Sequence, residues 1–379
     1  MIRLAYPQIP DRAGVLIDTA LKSGMLTSGK LVGEFESRLS ELLGGAQVVA
    51  TTNGTAAAGL AFALLHQRGA RVALVPDFLF PSVAAAALMT GISLHAYDIH
   101  AGHLGLSPDL LSALPPGPET VVVSIDQFGI PGPNEELETL VNQHNWQWFE
   151  DAACALGSCA GNTPCGSRAT VAILSFHPRK VLTTAEGGAL VTRDAGLAQE
   201  ARTMRNLGMS GTGVERGVTR LAGNARLSEL HAAIGLAQLD VFSAHLERRR
   251  ELGRHYLSLL AERTELTVPA GFADPGSNFQ SMIVLLPESA DRSQVAALLQ
   301  RQGVESTVPG FALHTQPVFA GLLSSGAGLD NDAEVQFTNS RHLHHRGLAL
   351  PLHERMDRAD VETVLSALAT SLHTSKEPA

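Results

Sequence analysis

Lys180 lies in the stretch Ser175-Phe176-His177-Pro178-Arg179-Lys180-Val181-Leu182-Thr183-Thr184-Ala185-Glu186-Gly187-Gly188. An apolar strand runs out into Ser175, a short loop and the lysine, and the Gly-Gly turn leads into the apolar run Ala189 to Val191. An amine just past a strand end, beside apolar walls and the second cation Arg179, is placed for a lowered pKa. A lowered pKa is what an amine needs to form an imine. Taken alone, the motif still favours an ordinary surface lysine. A second stretch, Phe149-Glu150-Asp151-Ala152-Ala153, closes an apolar strand with two acids. A carboxylate at a strand's carboxyl end can hold a protonated heterocyclic nitrogen and keep that ring electron-withdrawing, or it can simply cap the next helix. A third, Thr51-Thr52-Asn53-Gly54-Thr55, sits between a strand and a helix. Its N–H groups can converge on an anion such as a phosphate; the plainer reading is a helix capped by Thr55. The fourth, Gly223-Asn224-Ala225-Arg226-Leu227-Ser228-Glu229-Leu230, reads by itself as the polar start of a long helix.

The elements that must position these groups alternate. Val32, Phe35, Leu39 and Leu42 recur at helical spacing, and an Ala/Leu-rich helix follows Thr55 to about Leu65. Apolar runs at Val48–Ala50, Val72–Val75, Ile92–Ala96, Val121–Ile125, Trp146–Phe149, Val171–Phe176 and Ala189–Val191 predict buried strands. Strands that are apolar nearly throughout, separated by helices, predict a mixed, mostly parallel sheet covered on both faces. A long helix from about Leu227 to Leu260 carries the run Glu247-Arg248-Arg249-Arg250-Glu251, which is expected to be a solvated face. Beyond it come a strand at Met282–Leu286, a helix from Asp291, a strand near Ala349, and a final helix with Val361, Val364, Leu365, Leu368 and Leu372 on one side. The fold class is thus α/β, with a large domain over residues 1–245 and a smaller C-terminal α/β domain over residues 246–379.

Composition narrows the function. The 379 residues carry a net charge of −9 and are 45% hydrophobic, with no basic tract, so nucleic acid and anionic membranes are not expected partners. The most apolar region, Val72 to Leu94, is broken by Pro76, Asp77, Pro81 and Gly91 and does not read as a membrane span. Cys154, Cys159 and Cys165 fit no zinc spacing, and the N-terminus lacks an export pattern. Reduced thiols in the cytoplasm are therefore expected. His342, His344 and His345 crowd together without a carboxylate or thiol at ligand spacing, so a helix-surface cluster is expected and no metal site.

Taken together in their order along the chain, the four constellations resemble the PLP-dependent sugar aminotransferases of the DegT or StrS type, within the fold-type-I aspartate-aminotransferase superfamily. The likeness extends to Gly29-Lys30-Leu31-Val32-Gly33-Glu34-Phe35-Glu36, to Asp126-Gln127-Phe128-Gly129 and to Leu350-Pro351-Leu352-His353, so it spans nearly the whole chain. It implies pyridoxal phosphate (PLP) as a Schiff base on Lys180, which also moves the proton during transamination, and Asp151 paired with the pyridine nitrogen. It implies that Gly54, Thr55 and Ser175 cradle the phosphate, that Phe80 stacks on the ring, and that Asn224 reaches the phosphate of a neighbouring subunit in a homodimer. Departures from the family pattern are Asn53 for a usual Ser, Leu79 for a Thr and Val181 for an Asn. Ala225 replaces an aromatic residue, and Cys154 stands where a Gln or similar side chain often meets the PLP phenolic oxygen. His177 matches a loop position where His is common, and His314 a segment able to approach substrate.

The resemblance implies a ping-pong reaction through pyridoxamine phosphate. Glutamate or glutamine would serve as donor, and the acceptor would be a keto-sugar, cyclitol ketone or related carbonyl. Two alternatives stay open: a PLP- or PMP-dependent dehydratase or other lyase, whose dehydratase branch carries His where this chain has Lys180, and a non-catalytic PLP-binding regulatory protein.

Overall fold

Brief apolar runs rich in Val, Ile, Leu and Ala, each closed by a polar residue or glycine, are too short for helices and form the strands. The computed structural model describes residues 1–107, 111, 116–132, 134–325 and 337–374. The strands are β1 (Gln47–Thr51), β2 (Val72–Pro76), β3 (Ser93–Tyr97), β4 (Thr120–Ile125) and β5 (Gln147–Asp151). After a small ribbon of β6 (Cys159–Ala160) and β7 (Thr163–Pro164) come β8 (Val171–Ser175) and β9 (Gly188–Thr192). A second ribbon, β10 (Met209–Ser210) with β11 (Gly217–Val218), precedes β12 (Met282–Leu285), β13 (Leu323–Ser325) and β14 (Gly347–Leu350).

An eight-stranded sheet runs in the order β1-β9-β8-β5-β4-β2-β3-β13. Pairing is parallel from β8 across to β13, and β9 runs antiparallel to both β1 and β8. The expected mixed, mostly parallel sheet is what forms. Its parallel strands therefore present their carboxyl ends, with the turns after Thr51, Pro76, Ile125, Asp151 and Ser175, along one edge. In open α/β sheets that edge is where ligands bind.

Helices cover both faces. They are α1 (Arg12–Ser23), α2 (Lys30–Leu42), α3 (Gly54–Gln67), α4 (Pro81–Met89), α5 (Asn134–His144), α6 (Ala195–Arg205) and the 32-residue α7 (Glu229–Leu260). On one face Ala57, Ala61, Phe62 and Leu65 of α3 pack with Val83 and Ala87 of α4 against the strands, and Phe62 stacks on Phe149 at 4.5 Å. On the other, Phe35 and Leu39 of α2 meet Leu236, Phe242 and Leu246 of α7. Further along α7, Leu252, Tyr256 and Leu260 join a separate core with β12, β14, α8 (Arg292–Arg301) and the helix Arg358–Thr374. Within it β12 and β14 pair antiparallel. Residues 323–325 return to the large sheet, where β13 pairs with β3. Residues 326–336 and 375–379 of the expected small-domain span lie outside the described residues.

Two local expectations are corrected. The run from Glu247 to Glu251 is not a solvated face throughout, because Arg249 is buried and lies 3.3 Å from Glu354. A helix that crosses from one core to another presents even a charged stretch partly inward, and Arg249 meets a carboxylate and two carbonyls there through its two Nη atoms. The cap of α3 is Asn53, whose Oδ1 accepts from the Ala56 N–H at 2.8 Å, and not Thr55. Among the described residues no helix is long and apolar enough to cross a membrane.

Candidate active site

Asp151, the last residue of β5, pairs in register with Ile125 of β4 and Ile173 of β8. Alternation along β5 sends Asp151 and Glu150 to opposite faces of the sheet. Asp151 is buried, and its Oδ1 accepts from the Ala153 N–H at 3.0 Å. Burial raises its pKa above the usual carboxylate value, opposed by that N–H and by the charge of Lys180.

Lys180 follows β8 in a tight loop. Its backbone N–H donates to the His177 carbonyl at 2.8 Å, and the loop closes through Phe176 N–H to Gly187 O, also 2.8 Å. The ammonium Nζ lies 3.0 Å from Cys154 Sγ, so the thiol after β5 and the amine after β8 face one another. His177 is exposed, and its Nδ1 accepts from the Arg179 N–H at 3.3 Å, which makes it a cap of this turn. Desolvation lowers its pKa, and Lys180 and Arg179 add to the lowering against the opposing charge of Glu186.

The anion-binding candidate is the start of α3. With Asn53 capping Ala56, the Gly54 and Thr55 N–H groups lie in the first helical turn and have no acceptor within the helix. The helix start also carries partial positive charge. A Cβ at Gly54 would stand 3.2 Å from Ser175 Cβ and 3.5 Å from Ser175 Oγ, which shows how closely that hydroxyl flanks the turn. Gly188 pairs with both Thr51 and Ser175 across β9. A Cβ there would come 2.4 Å from the Gly54 nitrogen, so the close approach of three strand ends requires glycine.

The remaining candidates spread along the same edge. Phe80, which opens α4, is 61% exposed and meets Phe311 edge-on at 6.4 Å. Asn224 is exposed beside this edge: the next residue, Ala225, accepts from Thr52 N–H through its carbonyl at 3.0 Å. His314 is held by Asp77, a fully buried acid missed from sequence, with Nδ1 to Oδ2 at 2.6 Å and its backbone N–H to Oδ1 at 2.9 Å. His344 is half-buried against Gly310 and Phe311, so the three-histidine helix is not wholly a surface feature. All three cysteines are free. The edge thus brings an amine, a buried carboxylate, a thiol, a hydroxyl and a helix N-terminus to one side of the sheet.

Sequence reasoning also missed Asn278 and Gln280. Their only trace is the polar stretch Ser277-Asn278-Phe279-Gln280-Ser281 just before an apolar strand, which periodicity reads as a loop.

An α/β sheet of this order with a small C-terminal α/β unit is the type-I fold, and solved structures of that fold superpose on it. The sugar aminotransferase Spr1654 from Streptococcus pneumoniae, in its PMP form, matches with a TM-score of 0.89 at 22% identity, covering 99% of this chain and 100% of that one. The chain belongs to the DegT/DnrJ/EryC1/StrS aminotransferase family, whose model matches residues 9–369. It is 27% identical to a UDP-4-amino-4,6-dideoxy-N-acetyl-beta-L-altrosamine transaminase from Campylobacter jejuni, over 95% of this chain and 96% of that protein. It is 28% identical to the GDP-perosamine synthase of Caulobacter vibrioides, over 97% of each.

Proposed function

We propose that this aminotransferase uses PLP carried on Lys180 to move an amino group from an amino acid, glutamate or glutamine, to a keto-sugar. A nucleotide-linked keto-sugar is favoured by the two relatives above, a transaminase and a synthase, whose names carry UDP- and GDP-sugars. The observation that carries the reading is the pair of Lys180 and buried Asp151 on one sheet edge, with the lysine's charge acting on the acid.

The residues fit the cofactor. The uncapped Gly54 and Thr55 N–H groups, with Ser175 Oγ alongside, suit a phosphate. Asp151, buried and raised by desolvation, is an acid whose charged form needs a cation, and a pyridinium N–H is such a cation. When bound, PLP supplies an electron-withdrawing ring that stabilises the charge left on a substrate carbon when its proton departs. Lys180 holds and returns that proton through Nζ, and Cys154 Sγ orients the amine from 3.0 Å. Asp151 keeps the ring nitrogen protonated. Gly54, Thr55 and Ser175 fix the phosphate end, and Phe80 offers an exposed ring to stack. The bond from Asp77 that holds the His314 ring supports reading His314 as a substrate contact, and His177 caps the loop. The lysine at 180 argues against the dehydratase alternative.

The exposure of Asn224 on this chain supports a homodimer with shared sites, in which Asn224 reaches the partner subunit's phosphate. Exposed Val15, Leu21, Met25 and Leu26 give an apolar surface for a partner subunit. Free cysteines fit a reducing compartment such as the cytoplasm.

The test is spectroscopic. Purified protein reconstituted with PLP and mixed with glutamate is expected to lose the cofactor's aldehyde-form absorbance and gain that of pyridoxamine phosphate, and a keto-sugar nucleotide is expected to reverse the change. Lys180→Ala is expected to lower turnover at least about a thousandfold, the scale of losing a nucleophile that is also the proton carrier. Absence of any PLP binding would overturn the reading.

A further inference from the structure

Lys180 is positioned by the peptide units on either side of it, and one buried amide grips both. Gln280 Oε1 accepts from the Val181 N–H at 3.0 Å, and its Nε2 donates to the Arg179 carbonyl at 2.5 Å. Two residues earlier, Asn278 is fully buried and donates through Nδ2 to the carbonyls of Cys154 and Leu156, each at 2.9 Å. Its Oδ1 accepts from the Gln280 N–H at 2.7 Å, which locks the two amides to each other. The fit is close enough to dictate a neighbour: Gly129 has φ +88°, and a Cβ there would fall 1.8 Å from Asn278 Oδ1.

The same segment is anchored from the other side. Arg249 Nη2 donates to the carbonyls of Phe279 and Gln280 at 3.3 and 2.8 Å, and Arg249 Nη1 lies 3.3 Å from Glu354. Residues 278–280 therefore link the loop after β5, which carries Cys154, to the loop after β8, which carries Lys180. The side chains of those two loops meet at 3.0 Å.

We propose that Gln280 is a positioning residue for Lys180, with Asn278 holding the Cys154 side, so that one buried segment sets the separation of amine and thiol. The inference rests on the reading of Lys180 as the reacting amine. Within the Lys180 loop the His177 carbonyl also holds the Lys180 N–H at 2.8 Å, but that bond is local, whereas Gln280 ties the loop to a distant segment. The Lys180 loop is closed locally by Phe176 and Gly187, which fixes its stem, whereas Gln280 fixes the peptide units that aim the side chain. Glutamine suits the task because one face must accept and the other donate.

The test compares Gln280→Ala, Gln280→Glu and a stability control, Val361→Ala, in the full chain. Val361 is fully buried in the C-terminal core and makes no part of this segment. In protein stripped of cofactor, Gln280→Ala is expected to speed amide hydrogen exchange at Val181, and Gln280→Glu, which keeps the acceptor, to restore protection. In the PLP-loaded enzyme, Gln280→Ala is expected to lower kcat about 10- to 100-fold, the scale of a displacement of about 1 Å, with KM for the donor within about threefold. The pH at which the bound cofactor's absorbance changes is expected to shift, and Val361→Ala should leave it in place. The proposal is overturned if kcat and that pH profile in Gln280→Ala stay within about twofold of the parent. It is equally overturned if Val361→Ala reproduces both effects at the same loss of Tm. A parent protein that binds no PLP would instead sink the reading of Lys180, and the exchange comparison would still report on the clamp.

Discussion

Asp126 and Glu150 place two buried carboxyls against one thiol: their oxygens and Cys165 Sγ all lie within 4.8 Å of one another. Two carboxylates at that range cannot both ionise. Burial, and then the charge of Glu150, hold Asp126 well above the usual carboxylate range, and burial raises Glu150 as well. The Gly132 N–H reaches Asp126 Oδ1 at 3.0 Å and the Gly166 N–H reaches Glu150 Oε1 at 2.6 Å. Asp126 Oδ2 and Glu150 Oε2 have no such donor among the described residues, so one proton on Asp126, shared with Glu150, satisfies both. A carboxyl whose folded pKa lies above its unfolded value binds its proton more tightly when folded. Its stabilising effect is complete below the unfolded value, about 4, and is lost as pH climbs through the raised folded value. Asp126→Asn keeps an acceptor for Gly132 and gives Glu150 a permanent N–H donor. Thermal unfolding of the cofactor-free protein is expected to show a shallower loss of stability as pH rises above the unfolded carboxyl value, with a gain of about 1 kcal/mol at the upper end. An unchanged slope would count against the shared proton. The residues alone showed the acid pair Glu150-Asp151 without separating the two, and only the family resemblance singled out Asp151. The pleat separates them, sending one to Asp126 and the other to Lys180, and only the neighbouring strands supply those partners.

At the scale of elements, the packing of α1, α2 and α7 depends on a carboxylate that sequence reading took for a plain helix start. Glu229, the first residue of α7, is buried and accepts from Gly29 N–H at 2.9 Å, Leu31 N–H at 2.9 Å and Val32 N–H at 3.0 Å. It caps α2 from another helix, where a negative charge also meets the positive end of the helix dipole. A Cβ at Gly29 would come 2.7 Å from Glu229 Oε2, so the glycine of the opening motif makes room for this cap. Glu229→Ala strands three donors, one buried and two part-buried, and is expected to destabilise the protein by about 2–4 kcal/mol. Glu229→Gln, which retains one acceptor oxygen, is expected to cost about half as much. Urea unfolding midpoints check both, and equal midpoints for all three proteins would refute the cap. Periodicity sufficed for α2 because Val32, Phe35 and Leu39 make a one-sided apolar stripe. It failed at Arg249, since a helix shared by two cores has no single outer face, and at Gln280, since a buried amide in an irregular segment leaves no period.

For the whole molecule, the carboxyl edge of the sheet collects residues from positions 53 to 314 of the chain, and one member faces away from it. Asn224 is exposed, bonded through Oδ1 to the Arg226 N–H at 3.3 Å, in a segment that runs beside Thr51 and Thr52. The family resemblance assigns Asn224 to the phosphate of a neighbouring subunit, which a single chain cannot display but which a twofold dimer makes testable. In such a dimer each site takes Lys180 from one protomer and Asn224 from its partner, and symmetry makes the two sites equivalent. Lys180→Ala and Asn224→Ala homodimers are then both impaired in every site, the first in the amine and the second in phosphate binding. A heterodimer of the two concentrates both defects in one site and leaves the other intact. Random reassortment of equal amounts is expected to restore about a quarter of the parent's sites, since half the dimers are mixed and each has one whole site of two. Mixing the two inactive proteins after partial dissociation and reassembly, then measuring turnover with PLP, glutamate and a keto-sugar nucleotide, reads this directly. Activity that stays at the sum of the two variants would place Asn224 in the same protomer's site as Lys180, because both defects would then travel in separate, non-complementing sites.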